Sequence, residues 1–157
     1  MGRALAEAFP TARRTFEEAN DLLGYDLARI CFEGPDQELT STRNCQPAIL
    51  VTSVAAWRVA RERGVEGDLT MGHSLGEYSA LVACGSLSFA EALRLVQARG
   101  DVTTDVVTRS PGRMAALLGA SDEDVEALCA EAGEVWPANY NCPGQLVASG
   151  LRHGVDR

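Results

Sequence analysis

Asp68-Leu69-Thr70-Met71-Gly72-His73-Ser74-Leu75-Gly76-Glu77 is the stretch whose reading decides the fold. Asp68 to Met71 reads as a short strand. A Gly-x-Ser-x-Gly turn follows directly, and helix formers continue from Glu77 to about Ala83. A strand running into a helix through such a turn is a nucleophile elbow. Its serine sits on strained backbone, and the glycines two residues to either side permit close approach of neighbouring segments. The hydroxyl of Ser74 then projects at the positive end of the helix. The N–H of Leu75 points to where an oxyanion would form. The bland alternative is an ordinary strand–turn–helix connection.

Working outward, residues 3–23 carry apolar positions at helical spacing, and Pro10 splits them into two short helices that stop at Gly24. Residues 25–45 read as helical turns and loop. Residues 46–63 form a buried helix with Pro47 in its first turn, Leu50, Val54 and Trp57 on one face, and Gly64 at its end. Ser88-Phe89-Ala90-Glu91 is a capping box opening a helix whose apolar side is Ala92, Leu95, Val96 and Ala98. After Ser110-Pro111-Gly112 the pattern changes. Met114 to Leu118 reads as a buried strand, Ser121 caps a helix, and Val135–Cys142 and Gln145–Ser149 are strands joined at Pro143-Gly144. That β-α-β-β run is the start of a ferredoxin-like unit. The division expected is therefore 1–109 and 110–157.

Composition narrows the function class. The chain has 157 residues, 46% hydrophobic and 23% charged, which suits a folded domain and excludes disorder. The net charge of −8 lacks the basic footprint of a nucleic-acid binder. Every one of its 14 basic residues is Arg. No apolar run reaches membrane-spanning length, and MGRALAEAFPTARR lacks the apolar region of a signal peptide. Five scattered cysteines without C-x-x-C, beside two histidines, argue against a metal site and for thiols in a reducing cytoplasm.

GHSLGEYSALVACGSLSFAEALRLVQARG is very similar to the malonyl-CoA:acyl-carrier-protein transacylase family, which includes the acyltransferase domains of polyketide synthases. LGYDLARICFEGPDQELTSTRNCQPAILVTSVAAWRV resembles that family's segment before the elbow, and VWPANYNCPGQLVASG resembles its N-x-N-x-P-x-Q hairpin. The resemblance implies a partial α/β-hydrolase-like acyltransferase core over 1–109 and part of a ferredoxin-like subdomain over 110–157. It implies Ser74 as nucleophile, the Leu75 N–H as half of an oxyanion hole, and Arg99 as the clamp for a malonyl carboxylate. A planar guanidinium binds a carboxylate bidentately, which suits that role. The plainer reading of Arg99 is a helix-end cation serving the dipole. Asn139, Asn141 and Gln145 are implied at the cleft, against the plainer reading that they satisfy local backbone groups. Leu75 after the nucleophile resembles malonyl-selective members.

By resemblance, the partners are malonyl-CoA and the phosphopantetheine thiol of an acyl carrier protein, with no cofactor, metal, nucleic acid or membrane. His73 is expected to be a packed scaffold residue pointing away from the Ser74 hydroxyl. His153 is expected near a frayed surface end and not in a triad with Asp156. The family's catalytic histidine and its Gly-Gln-Gly-Ser-Gln loop find no match here. The expectation is thus an incomplete chain with weak or no activity and with open strand edges around the elbow. Two other classes remain open: a serine esterase of the α/β-hydrolase type, and a non-catalytic relic or carrier-docking module. A net charge of −8 would repel an acidic carrier protein at long range unless the arginines cluster.

Overall fold

Pro10 divides the N-terminal apolar pattern into helices α1 (Arg3–Ala8) and α2 (Pro10–Leu23). Phe9, held extended at φ −131° before the proline, is the break. The computed structural model describes residues 1–157, which form two compact units, Met1–Thr104 and Asp105–Arg157.

The first unit continues with α3 (Leu27–Glu33), α4 (Asp36–Thr40), α5 (Thr42–Glu62), α6 (Gly76–Ala83) and most of α7 (Phe89–Arg109). Helix α5 begins four residues before the expected Gln46, so Pro47 lies beyond its first turn. Ser41 O accepts from the N–H groups of both Asn44 and Cys45, which closes a turn ahead of the proline. The buried face of α5 is Leu50, Val51, Val54, Ala55 and Val59. Trp57 instead lies beneath the Arg61 guanidinium, 5.3 Å from its ring centre, and Ile49 is exposed. These α5 residues pack with Phe16, Leu27, Leu93 and Val96 into one core. Thr15, wholly buried, donates to Thr11 O and accepts from Arg58, so its hydroxyl carries no unmet demand.

The capping box holds at the start of α7. Ser88 N–H donates to Glu91 at 2.9 Å, and Glu91 N–H donates to Ser88 Oγ at 3.2 Å. The buried stripe of α7 is Phe89, Ala92, Leu93, Val96 and Gly100. The expected Leu95 and Ala98 are exposed, because the 3.6-residue period set by Phe89 passes through Leu93 instead.

The expected strand at Asp68–Met71 is not formed. The segment has no ladder partner, and Leu69 and Met71 are 73% and 82% exposed. A strand is stabilised by a neighbour's backbone, and the first unit contains no other extended segment to provide one. Thr70 Oγ1 donating to Ala80 O at 3.1 Å ties the segment to α6 instead.

The second unit comprises β1 (Gly112–Leu118), α8 (Asp122–Ala132), β2 (Val135–Cys142), β3 (Gln145–Leu151) and α9 (Arg152–Val155). The sheet order is β1-β3-β2, with β3 antiparallel to both neighbours. β1 and β2 are therefore parallel, joined by α8 and split by β3, the arrangement with which a ferredoxin-like unit begins. Ser121 caps α8 by accepting from Asp124 N–H at 3.1 Å. Val125, Cys129, Val135, Leu146 and Ala148 form this unit's own core. β1 was expected to be buried and is an edge strand. Met114 and Leu118 face solvent, while Ala115 and Leu117 take the half-buried face.

Leu50 is fully buried, so Leu50→Ala should cost the first unit about 2–5 kcal/mol. Urea unfolding followed by Trp57 fluorescence in a Trp136→Phe background checks it.

Candidate active site

Ser74 adopts φ 52°, one of only two non-glycine residues of the chain in the left-handed region. Holding a side chain there costs about 1–3 kcal/mol, so the surroundings must enforce it. The N–H groups of Gly76 and Glu77 turn back onto His73 O at 2.8 Å and Ser74 O at 3.2 Å, which starts α6 at once. Gly72 closes the turn from the other side. A Cβ there would lie 2.0 Å from the Gly76 carbonyl and 2.5 Å from Glu77 N, so only glycine fits. Gly76 differs from expectation, since a Cβ on it would meet nothing within 4 Å. One glycine, not two, makes the close approach within this chain. No backbone carbonyl accepts from the N–H of Leu75, which leaves that donor beside the nucleophile.

Arg99 lies in the middle of the 21-residue α7, not at its end, which removes the dipole reading. Its NH2 group donates to Ser74 Oγ at 3.0 Å, and its NH1 group donates to Gln46 Oε1. Gln46 belongs to α5 and was not among the residues singled out from sequence. It is 53 residues from Arg99 along the chain, and the only local sign was a polar side chain at the head of an apolar helix. Gly100 explains why the two helices come close enough. A Cβ there would sit 3.3 Å from Thr42 O, tighter than ordinary contact, and 3.6 Å from Arg43 Cα, in ordinary contact. Arg94 is exposed on another face of α7.

His73 is exposed, not packed into a scaffold as expected, because no strand flanks the segment it belongs to. His153 Nε2 is 3.1 Å from a Glu134 carboxylate oxygen, and Asp156 pairs with Arg113, so His153 and Asp156 do not pair with each other. In the hairpin of the second unit, Asn141 Nδ2 donates to Gln145 Oε1 at 3.2 Å, and Asn139 lies opposite Val147 beside a register shift. No three His, Cys, Asp or Glu side chains converge into a metal-binding group.

The thiols divide by environment. The Ser86 hydroxyl, 3.1 Å from Cys84 Sγ, holds that exposed thiol below its ordinary range. Burial pushes the Cys31 thiol up to about 11.

The family described as "Acyl transferase domain" matches residues 1–157. The chain is 46% identical over 99% of its length to the malonyl CoA-acyl carrier protein transacylase of Bacillus subtilis, of which it covers 50%. It is 44% identical over 98% of its length to the enzyme of that name from Escherichia coli, of which it covers 51%. Among solved structures, a malonyl-transacylase in complex with a type II PKS acyl-carrier protein superposes with a TM-score of 0.94 at 44% identity, covering 99% of this chain and 52% of that one. The acyl-carrier-protein-S-malonyltransferase of Bartonella henselae gives 0.93 at 41% identity, covering 99% and 52%. The chain thus spans about half the length of the relatives it matches.

Two outcomes follow from the geometry. Gly72→Ala should lower the melting temperature, whereas Gly76→Ala, at the open first position of α6, should be neutral or stabilising by up to about 1 kcal/mol. Thermal denaturation of the pair distinguishes them. In iodoacetamide labelling at about pH 8, Cys84 should react ahead of Cys31, because the thiolate is the nucleophile. Peptide mass mapping over time reads the order.

Proposed function

Because the chain belongs to the acyl transferase domain family, we propose that it carries the nucleophile and the acyl clamp of a malonyl transfer from malonyl-CoA to an acyl carrier protein. The observation that carries this reading is the hydrogen bond between Arg99 and Ser74 Oγ. A guanidinium within reach of the nucleophile suits an acyl group bearing its own carboxylate, and a neutral ester has no use for it.

The reaction is ping-pong. Ser74 Oγ attacks the thioester carbonyl carbon, giving up its proton. The C–S bond breaks, and CoA leaves as its thiol. The malonyl ester on Ser74 then meets the phosphopantetheine thiol of the carrier protein, and a new thioester forms as the serine recovers its proton. The N–H of Leu75 donates to the oxyanion in both steps. Arg99 holds the distal carboxylate and so keeps the acyl group in place between them. Asn139, Asn141 and Gln145 are assigned to the border of the cleft by likeness to the family's hairpin. The acyltransferase core is assigned to 1–109 and the small ferredoxin-like part to 110–157. The reaction as written needs no cofactor or metal.

No helix is long and apolar enough to cross a membrane. By likeness to the family, we place the protein in the cytoplasm, where fatty-acid or polyketide synthesis would use it. Ser74 Oγ is hydrogen-bonded to Arg99, and the 157 residues hold no match to the family's catalytic histidine, so transfer by them alone should be far slower than by relatives of twice the length.

Radiolabelled malonyl-CoA offered to the chain, with and without carrier protein, tests the reading. A slowly formed label that vanishes in Ser74→Ala is the expected result. Label persisting in Ser74→Ala would overturn it. So would turnover of neutral p-nitrophenyl esters that is indifferent to Arg99→Ala, the behaviour of an esterase.

A further inference from the structure

We propose that Cys31 and Cys45 form a redox modification site, at which hydrogen peroxide joins them as a disulfide tying α3 to the first turn of α5. The cross-link stands apart from the reading of Arg99. Its consequence for acyl binding rests on that reading.

The fold brings the two thiols to one region. Cys31 lies on α3, enclosed in the core of the first unit. Cys45 lies in the first turn of α5 and is half-buried. Positions 45, 48, 52 and 55 recur every three or four residues and so share one face of α5. Ala48 and Ala55 on that face are buried in the same core as Cys31. The start of the chain shows how closely α3 runs beside this face. The Met1 ammonium donates to Cys31 O, and a Cβ on the adjoining Gly2 would lie 3.5 Å from Thr52 Cγ2. Tyr25 borders the same region. Burial raises its phenol, and the charges of Arg43 and Cys31 both act on it. Arg43 stands two residues before Cys45. Cys45 itself adds to the effect of burial in raising the Cys31 thiol. Cys84, by contrast, has Ser86 and Thr70 beside it.

The two thiols differ in the way such a pair needs. Cys31, pushed up to about 11 by burial, stays protonated and closed to solvent, whereas Cys45 reaches the surface. Peroxide therefore meets Cys45 first. The Cys45 thiolate attacks one peroxide oxygen and the O–O bond breaks. A sulfenic acid remains, and the departing hydroxide takes up the thiol proton as water. Cys31 Sγ then attacks Cys45 Sγ, the S–O bond breaks, and hydroxide leaves with the Cys31 proton as a second water. The two thiols are oxidised by two electrons, and peroxide is reduced by the same two. In a reducing compartment the pair rests as thiols, and a disulfide there is a transient signal. Cys45 adjoins Gln46, whose Oε1 accepts from Arg99. A link to α3 pulls on the turn that carries this acceptor, and so couples the oxidation state of the pair to the hold on an acyl carboxylate.

The test uses the reduced 157-residue chain, treated with hydrogen peroxide, blocked with iodoacetamide and digested with trypsin without reductant. Mass mapping should show peptides 30–43 and 44–58 joined with the loss of two hydrogen atoms, in protein that remains monomeric. Dithiothreitol should separate them, and Cys45→Ser should never form the link. Dithiothreitol reversal needs no variant, so the result stands even if a serine variant unfolds. Calorimetric titration should show malonyl-CoA binding about tenfold weaker in the oxidised chain, the loss expected of one hydrogen bond to a charged group, and restored by dithiothreitol. Absence of the joined peptides at peroxide levels that oxidise Cys84 would overturn the site. A link that forms without changing malonyl-CoA affinity, in a chain whose affinity Arg99→Ala abolishes, would overturn the coupling and leave the clamp standing. Affinity indifferent to Arg99→Ala would sink the clamp and the coupling together, while the joined peptides would still establish the cross-link.

Discussion

The contact between Gly72 and the first turn of α6 is the constraint on which the candidate site depends. A serine at φ 52° does not hold that conformation by its own preference. It is held because the chain before it presses backbone to backbone against the chain after it, at a distance only glycine allows. Everything chemical about Ser74 follows from this. The turn leaves Ser74 exposed, leaves the Leu75 N–H without a backbone carbonyl partner, and starts α6 directly at Gly76.

A second close approach, at Gly100, organises the other half of the site. It brings the middle of α7 to the head of α5, and so joins residues that are 53 positions apart. Two glycines thus do the geometric work, and two polar side chains, Gln46 and Arg99, use the space they open. The buried apolar residues of α2, α5 and α7 supply the stability that this arrangement draws on. They do not touch the chemistry, but they fix the helices that present it.

Features encoded locally were legible in the sequence. Pro10, Gly24, the Ser88–Glu91 box, the Gly-x-Ser-x-Gly turn and the Pro143-Gly144 hairpin each act through neighbours within a few residues, and each appears where the pattern put it. Features that depend on a distant partner were not. Asp68–Met71 has strand composition, yet composition cannot supply the neighbouring strand that makes a ladder. Leu95 and Leu93 are equally apolar, and only the phase of packing decides which is buried. Met114 and Leu118 read as core because they are apolar, while the topology puts their strand at an edge. Gln46 was invisible for the same reason, since its meaning lies in a contact far along the chain. Ser74 was found through the elbow motif and Arg99 through a family likeness, and the structure brings the Arg99 guanidinium to 3.0 Å from Ser74 Oγ.

The unpaired stretch before the elbow makes the mechanics of the site asymmetric. Downstream of Ser74 the backbone enters a hydrogen-bonded helix at once. Upstream, Asp68 to His73 is exposed and belongs to no helix or strand, and Thr70 ties it to α6. The nucleophile is therefore mounted like a cantilever, clamped on its helical side and compliant on the other. Amide hydrogens on the compliant arm should exchange with solvent far sooner than those of α6. Any extended chain that laid its backbone along Leu69 to Met71 would stiffen the mount on both sides at once.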